Sequence, residues 1–221
     1  MREIKTCIFD MDGVICDTAK YHYLAWKKLG ERLGIVFTEE DNERLKGVSR
    51  MESLDILLSL SDKDIIYTEE EKLQFAEEKN NDYVDYISNM DSSEILPGVL
   101  DFLTYCREQN IKVALGSVSK NAMTILKGLN LEQYFDAVID GTKVTKAKPD
   151  PEVFLKGAKE TGNEPEFCVV FEDAFTGIIA AKSAGMFAVG IGDSKVLSNA
   201  DFIIGGFCDM SPSMLLDKIR Q

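Results

Sequence analysis

Four short apolar runs in this chain each stop at glycine or an acidic residue, and helical patterns fill much of the space between them. Residues 4–9 lead into Asp10-Met11-Asp12-Gly13, and residues 111–115 lead into Gly116-Ser117. Residues 167–171 lead into Glu172-Asp173, and residues 186–190 run on towards Asp193. Apolar runs of this length closed by turn formers read as buried strands. Residues 99–108, 120–129, 151–160 and 174–184 carry helical patterns, and a shorter strand fits residues 137–139. Strands that alternate with helices pair in parallel, so the expected fold is α/β with a doubly wound parallel sheet. In such a sheet the functional groups gather beyond the carboxyl ends of the strands.

Roughly a hundred residues separate the first two strands, far more than a crossover needs. Tyr21, Leu24, Ala25, Lys28 and Leu29 recur at near-helical spacing, as do Leu73, Ala76, Tyr83 and Ile87. We expect a helical cap over residues 16–90, inserted into a catalytic core formed by residues 1–15 and 91–221. Pro97-Gly98 marks the return to the core.

The end of the first strand concentrates charge. Asp10 and Asp12 lie two residues apart, so in extended chain their carboxylates face the same side. That arrangement is unfavourable unless a cation or a proton is shared. Gly13 permits the tight turn that follows. If the strand ending in Glu172-Asp173 is a neighbour, several carboxyl oxygens converge. Hard oxygen donors with room for water and phosphate suit Mg²⁺. Asp10 then qualifies as a carboxylate nucleophile and Asp12 as general acid and base. A single acidic residue after a strand would be ordinary loop solvation; a D-x-D-G turn matched by a second acidic pair is more specific.

A net charge of −13 opposes attraction to nucleic acids and anionic membranes. It also repels phosphorylated substrates at long range, so a phosphate needs a local positive centre. Five cysteines at wide spacings, with no C-x-x-C pair, form neither a disulfide framework nor a zinc site. A reducing compartment follows. With no secretory signature in MREIKTCIFD and no membrane-spanning apolar stretch, we expect a cytoplasmic protein.

Two segments offer positive charge and donors. Ser117-Val118-Ser119-Lys120-Asn121 joins the second strand to a helix, with Ser119 a candidate N-cap and nearby amides available to an anion. Capping alone would account for this segment. Lys146-Ala147-Lys148-Pro149 follows the short strand; lysines in loops are usually solvated. The step before proline is restricted, which favours Lys148 over Lys146 as the residue held at the site. In the cap, His22 and Trp26 share a helix face, a pattern that ordinary packing also explains. Lys46-Gly47-Val48-Ser49-Arg50 reads as a joint between helices, with Ser49 as N-cap. It is either a plain turn with a surface arginine or a grip for a second phosphate.

FDMDGVICDT resembles the first motif of the haloacid dehalogenase-like superfamily. S-x-S-K-N, K-P and E-D follow in that family's order. DMDGVICDTAKYHYLAW, LKGVSR, ALGSVSKN, KPDPEVF and FEDAFTGI extend the resemblance over nearly the whole chain, to the family's sugar phosphomutases. The resemblance implies a Rossmann-like core with a closing helical cap. It implies interconversion of β-glucose 1-phosphate and glucose 6-phosphate through an aspartyl-phosphate and a bound 1,6-bisphosphate.

By motif, the resemblance makes Asp10 the nucleophile and Asp12 the acid–base. Asp10, Asp12 (by its carbonyl) and Asp173 become Mg²⁺ ligands, with Glu172 beside them. Ser117 and Lys148 match positions holding the transferring phosphate. Arg50, Ser119, Lys120 and Asn121 match those holding the distal one. Val118 acts through its backbone. Thr18, His22, Trp26, Lys46, Gly47, Val48 and Ser53 match hinge and sugar-side positions. The extra lysine in Thr145-Lys146-Ala147 is a local difference expected to bear on phosphate affinity. The expected enzyme is a monomer acting on a small phosphosugar, without nucleic acid or membrane. The alternative is a Mg²⁺-dependent sugar-phosphate phosphatase of the same fold, which needs one phosphate site where a mutase needs two. A catalytically silent phosphate-binding module is disfavoured by the presence together of Asp10, Asp12, Lys148 and Asp173.

Overall fold

A computed structural model describes residues 2–45, 49–63 and 65–221. It divides into two compact units: Met1–Asp17 with Met90–Gln221, and Thr18–Asn89. Among the described residues no helix is long and apolar enough to cross a membrane.

The first unit is built on strands β1 (Thr6–Phe9), β2 (Lys112–Gly116), β3 (Ala137–Ile139), β4 (Cys168–Glu172), β5 (Phe187–Ile191) and β6 (Phe202–Ile204). They form a parallel sheet in the order β3-β2-β1-β4-β5-β6. β1 to β5 lie within a residue or two of the apolar runs that announced them, and β6 is a sixth strand beyond those expected. β1 and β4 are buried at every position, as strands covered on both faces must be. Ile8 points into one core layer with Val170, Phe154 and Ile178. Phe9 points the other way, stacking on Phe171 at 4.9 Å and meeting Phe102 edge-on at 6.0 Å.

The helices in chain order are α1 (Ala19–Leu33), α2 (Glu39–Glu43), α3 (Arg50–Ser59), α4 (Glu69–Ile87), α5 (Val99–Glu108), α6 (Ala122–Gly128), α7 (Glu152–Thr161), α8 (Phe175–Ser183) and α9 (Pro212–Arg220). α7 packs on β1, β2 and β3, and α8 on β4 and β5. The strand order reverses direction around β1 and β4, which puts the topological switch point at their carboxyl ends.

The chain leaves and re-enters this unit at one place. Cys16 bridges Ile95 in antiparallel fashion, and the Leu96 amide donates to the Ile15 carbonyl at 2.8 Å.

The second unit is helical. Trp26 and Leu29 of α1, Leu54 and Leu57 of α3, and Ala76 of α4 form its core with Ile35 and Phe37. Its last three helices open on the same device. Thr38, Ser49 and Thr68 each accept the amide three residues on, while Asp41, Glu52 and Glu71 reach back to the cap amide. This is the capping box, and Ser49 takes the cap position expected of it.

Candidate active site

Phe9 of β1 pairs with Phe171 of β4 and with Leu115 of β2. The next residues, Asp10, Glu172 and Gly116, therefore emerge side by side. The Asp10 amide continues the ladder by donating to the Phe171 carbonyl at 3.0 Å. One carboxylate oxygen each from Asp10, Glu172 and Asp173 lies within 4.8 Å of the others.

Two glycines make this crowding possible. At Gly13, with φ +72°, a Cβ would overlap the Asp173 carboxylate; at Gly177 it would overlap the Glu172 carboxylate. Glu172 is held by the Ala174 amide at 3.0 Å and by Lys148 at 2.8 Å.

Lys148 is the cation of the cluster. Its Nζ donates to Asp10 Oδ1 at 2.5 Å as well as to Glu172, with its side chain only 8% exposed. It also lies over the Phe154 ring at 4.8 Å. Burial works against its charge, yet the Asp10 and Glu172 carboxylates outweigh that and hold its pKa above the ordinary lysine value. Burial pushes the Glu172 carboxyl up to about 7, against the pull of Lys148 and with the push of Asp10. Asp173 rises to about 8 through burial and then the neighbouring Asp10, Glu172 and Asp12 charges. Three carboxylates facing one ammonium leave an excess of negative charge, and the donors are all oxygen. Both facts fit a hard divalent cation.

The Asp12 carboxylate does not belong to this set. The two-residue alternation expected to aim it with Asp10 ends after β1, because the chain bends at Met11 and Asp12 bridges Cys16. A role through its backbone carbonyl does not depend on that alternation.

The lysine loop separates its two candidates. Lys146 turns to Asp150 at 3.2 Å and is largely exposed, whereas Lys148 reaches the carboxylates. The Lys148-Pro149 peptide is cis.

Beyond β2, the Ser117 amide donates to the Ile139 carbonyl at 2.9 Å, and Ser117 is buried. Ser119 is not an N-cap. The helix starts later, at Ala122, and the Ser119 hydroxyl instead accepts the Asn121 amide at 3.2 Å. The Ser117 hydroxyl does the same for the Ser119 amide. Gly141 donates to the Ser119 carbonyl and passes so close to Val118 that a Cβ there would overlap its carbonyl. Lys120 is exposed in the same segment.

In the helical unit, Thr18 is buried at the start of α1, with its carbonyl accepting the Tyr21 and His22 amides. Trp26 belongs chiefly to the core. His22 stacks on Tyr83 at 4.0 Å. Lys79, which the sequence reading missed, lies 2.8 Å from His22 Nδ1 and over the rings of Trp26 and Tyr83. Burial, followed by the Arg50 charge, lowers Lys79 to about 7; burial and then Lys79 lower His22 to about 3. Arg50 donates to Asn80 at 2.9 Å, and Ser53 is buried on α3. Lys46, Gly47 and Val48 lie outside the described residues.

A family model for haloacid dehalogenase-like hydrolases matches residues 4–185. The chain is 42% identical to a β-phosphoglucomutase of Bacillus subtilis, over 99% of this chain and 96% of that one. It is 33% identical to a phosphorylated carbohydrates phosphatase of Thermotoga maritima, over 99% of both. The crystal structure of β-phosphoglucomutase from Clostridium difficile superposes with a TM-score of 0.86 at 44% identity, covering 97% of this chain and 96% of that one. With its parallel sheet, its inserted helices and its carboxylate cluster at the switch point, this chain belongs to the haloacid dehalogenase-like hydrolase family.

Proposed function

We propose that this protein is a Mg²⁺-dependent β-phosphoglucomutase, interconverting β-glucose 1-phosphate and glucose 6-phosphate through an aspartyl-phosphate at Asp10. The observation that carries the chemistry is the buried Lys148 ammonium 2.5 Å from Asp10 inside a three-carboxylate set. The two β-phosphoglucomutases, similar over nearly the full chain, support the choice of sugar.

Asp10, Glu172 and Asp173, with the Asp12 carbonyl, would hold Mg²⁺. Bound there, the ion would offset carboxylate charge and draw electron density from the phosphoryl oxygens. Asp10 attacks the phosphorus of the bisphosphate, and the bond from phosphorus to the departing sugar oxygen breaks. That oxygen takes a proton from Asp12. Glucose 6-phosphate leaves, and in the second half-reaction Asp12 removes a proton from the 6-hydroxyl of an incoming β-glucose 1-phosphate, whose oxygen takes the phosphoryl group from Asp10 and regenerates the 1,6-bisphosphate. Lys148 stays protonated throughout and, with Ser117, steadies the oxygens in transfer. Arg50, Ser119, Lys120 and Asn121 bind the phosphate that is not moving. Thr18, His22, Trp26 and Ser53 serve the sugar side, as would Lys46, Gly47 and Val48. In this reading the enzyme is a cytoplasmic monomer.

The full-length similarity to a phosphatase favours a second reading, hydrolysis of a sugar phosphate at the same aspartate. One assay separates the two. The protein is given Mg²⁺, β-glucose 1-phosphate and a trace of the 1,6-bisphosphate, and glucose 6-phosphate and free phosphate are followed together. Glucose 6-phosphate without matching phosphate release is the expected result. Phosphate release with little glucose 6-phosphate would replace the mutase with the phosphatase.

A further inference from the structure

We infer that Glu152 is a positioning residue for Lys148, acting as a clasp on the loop that presents the lysine to Asp10. The inference rests on the phosphoryl-transfer reading for its effect on turnover, though not for its geometry.

Glu152 is the first residue of α7. An acidic side chain there would ordinarily be credited to the helix dipole. Its contacts point elsewhere. Oε2 accepts the Thr145 amide at 2.9 Å, the Thr145 hydroxyl at 3.0 Å and the Lys146 amide at 2.8 Å. All three donors lie upstream, in the arm of the loop that enters from β3. Oε1 pairs with Lys156 Nζ at 2.6 Å, and the same ammonium donates to the Lys143 carbonyl at 2.5 Å. On the other arm, the Asp150 amide donates to the Ala147 carbonyl and the Glu152 amide to Asp150 Oδ1.

Lys148 hangs between these two arms; Glu152 ties them together through two amides and a hydroxyl, with the pair between exposed Lys146 and Asp150 spanning them as well. The Lys156 ammonium, then the Thr145 and Lys146 amides, hold the Glu152 carboxyl down to about 2, so the clasp stays charged throughout the working pH range. The arrangement has a clear purpose. Lys148 must sit within hydrogen-bond reach of a nucleophile it must not displace, and misplacement by about 1 Å costs rate on the order of a hundredfold.

The test compares Glu152→Ala and Glu152→Gln with the wild-type full chain. The first readout needs no substrate: brief acetylation with acetic anhydride, with Lys148 and Lys112 quantified by mass spectrometry. In wild type Lys148 is buried and paired, whereas the Lys112 side chain is 52% exposed. Glu152→Ala is expected to speed acetylation of Lys148 by about tenfold, as local opening of the loop requires, and to leave Lys112 unchanged. Its kcat falls by about 10- to 100-fold with KM within a factor of about three. Glu152→Gln, which keeps a carbonyl oxygen for the loop amides, recovers most of both effects. Unchanged acetylation of Lys148 in Glu152→Ala would overturn the inference whatever happens to turnover. Equal acceleration at Lys148 and at buried Lys79, quantified in the same digest, would also overturn it, since that is the signature of general unfolding. Faster labelling at Lys148 in a protein inactive on β-glucose 1-phosphate would remove the sugar assignment and leave the clasp standing.

Discussion

Gly177 is the third residue of α8, where alanine would ordinarily stabilise a helix by up to roughly 1 kcal/mol. We predict the opposite for Gly177→Ala. A Cβ at this position overlaps the Cδ and Oε2 atoms of Glu172, whose side chain is only 1% exposed. To make room, the carboxylate must leave Lys148 and the Ala174 amide, its partners at 2.8 and 3.0 Å. Hydrogen bonds to charged groups contribute about 1.5–3 kcal/mol each, so losing both costs about 3–6 kcal/mol. Set against the helix gain, a net loss of about 2–5 kcal/mol remains. Urea unfolding at pH 7, followed by circular dichroism, measures it. Because Glu172 is one of the three clustered carboxylates, Mg²⁺ affinity read by titration should fall by about tenfold or more. An alanine variant as stable as wild type, with unchanged Mg²⁺ affinity, would show that the Glu172 carboxylate does not occupy the space above Gly177.

Three further outcomes are expected. Asp10→Asn should lower turnover by about a thousandfold or more, because a carboxamide oxygen is a poor nucleophile; circular dichroism should stay native, and wild-type turnover would end the aspartyl-phosphate mechanism. In chelator, stability should fall as pH rises. Glu172 and Asp173 have folded values of about 7 and 8 against ordinary values of 4.5 and 3.8, so their contribution is whole below about 4 and is lost by about 8. Urea midpoints at pH 5 and pH 8 with and without Mg²⁺ measure this, and a metal-free midpoint that rises with pH would refute it. Lys79→Met should raise the thermal midpoint at pH 6. The folded lysine sits near 7 and the unfolded one near 10.5, so the penalty is full below about 7 and fades towards 10.5. An advantage that grew with pH would contradict that placement.

The parts of this molecule that were legible in its sequence are those fixed by local pattern. The helix at Val99–Glu108 matches its expected span, and Ala137–Ile139 does so among the strands. β6, Phe202-Ile203-Ile204 before Gly205-Gly206, carries the same short apolar pattern as Ala137–Ile139 and was passed over all the same. The helix at Pro212–Arg220 escaped although Ser211, a proline at the first helical position and buried Leu215, Leu216 and Ile219 all announced it. The aim of the Asp12 carboxylate and the capping role of Ser119 differ from expectation for one reason: each rested on extending a regular element past the point where the chain turns. Lys79 was invisible on different grounds. FAEEKNND is a largely polar stretch of helix, and only the packing of α4 against α1 buries its single lysine. Of the two loop lysines, Lys148 is the one brought to the carboxylates, and the restriction that Pro149 places on its neighbour was legible before any tertiary contact.

The bridge between Cys16 and Ile95 carries a consequence for how such a chain can change. Because the outgoing and returning segments are already paired within the first unit, the 72 residues of Thr18–Asn89 form a cassette whose two ends leave from neighbouring points. Lengthening, trimming or exchanging such a cassette alters loop-closure entropy only slowly with its length, and it leaves the register of β1 against β2 and β4 untouched. Under the proposed function, the nucleophile Asp10 with Lys148 and the sugar-side residues Thr18, His22, Trp26 and Ser53 would lie on separable pieces of one polypeptide. Relatives that include both a mutase and a phosphatase over the full chain are what such a division of labour would yield.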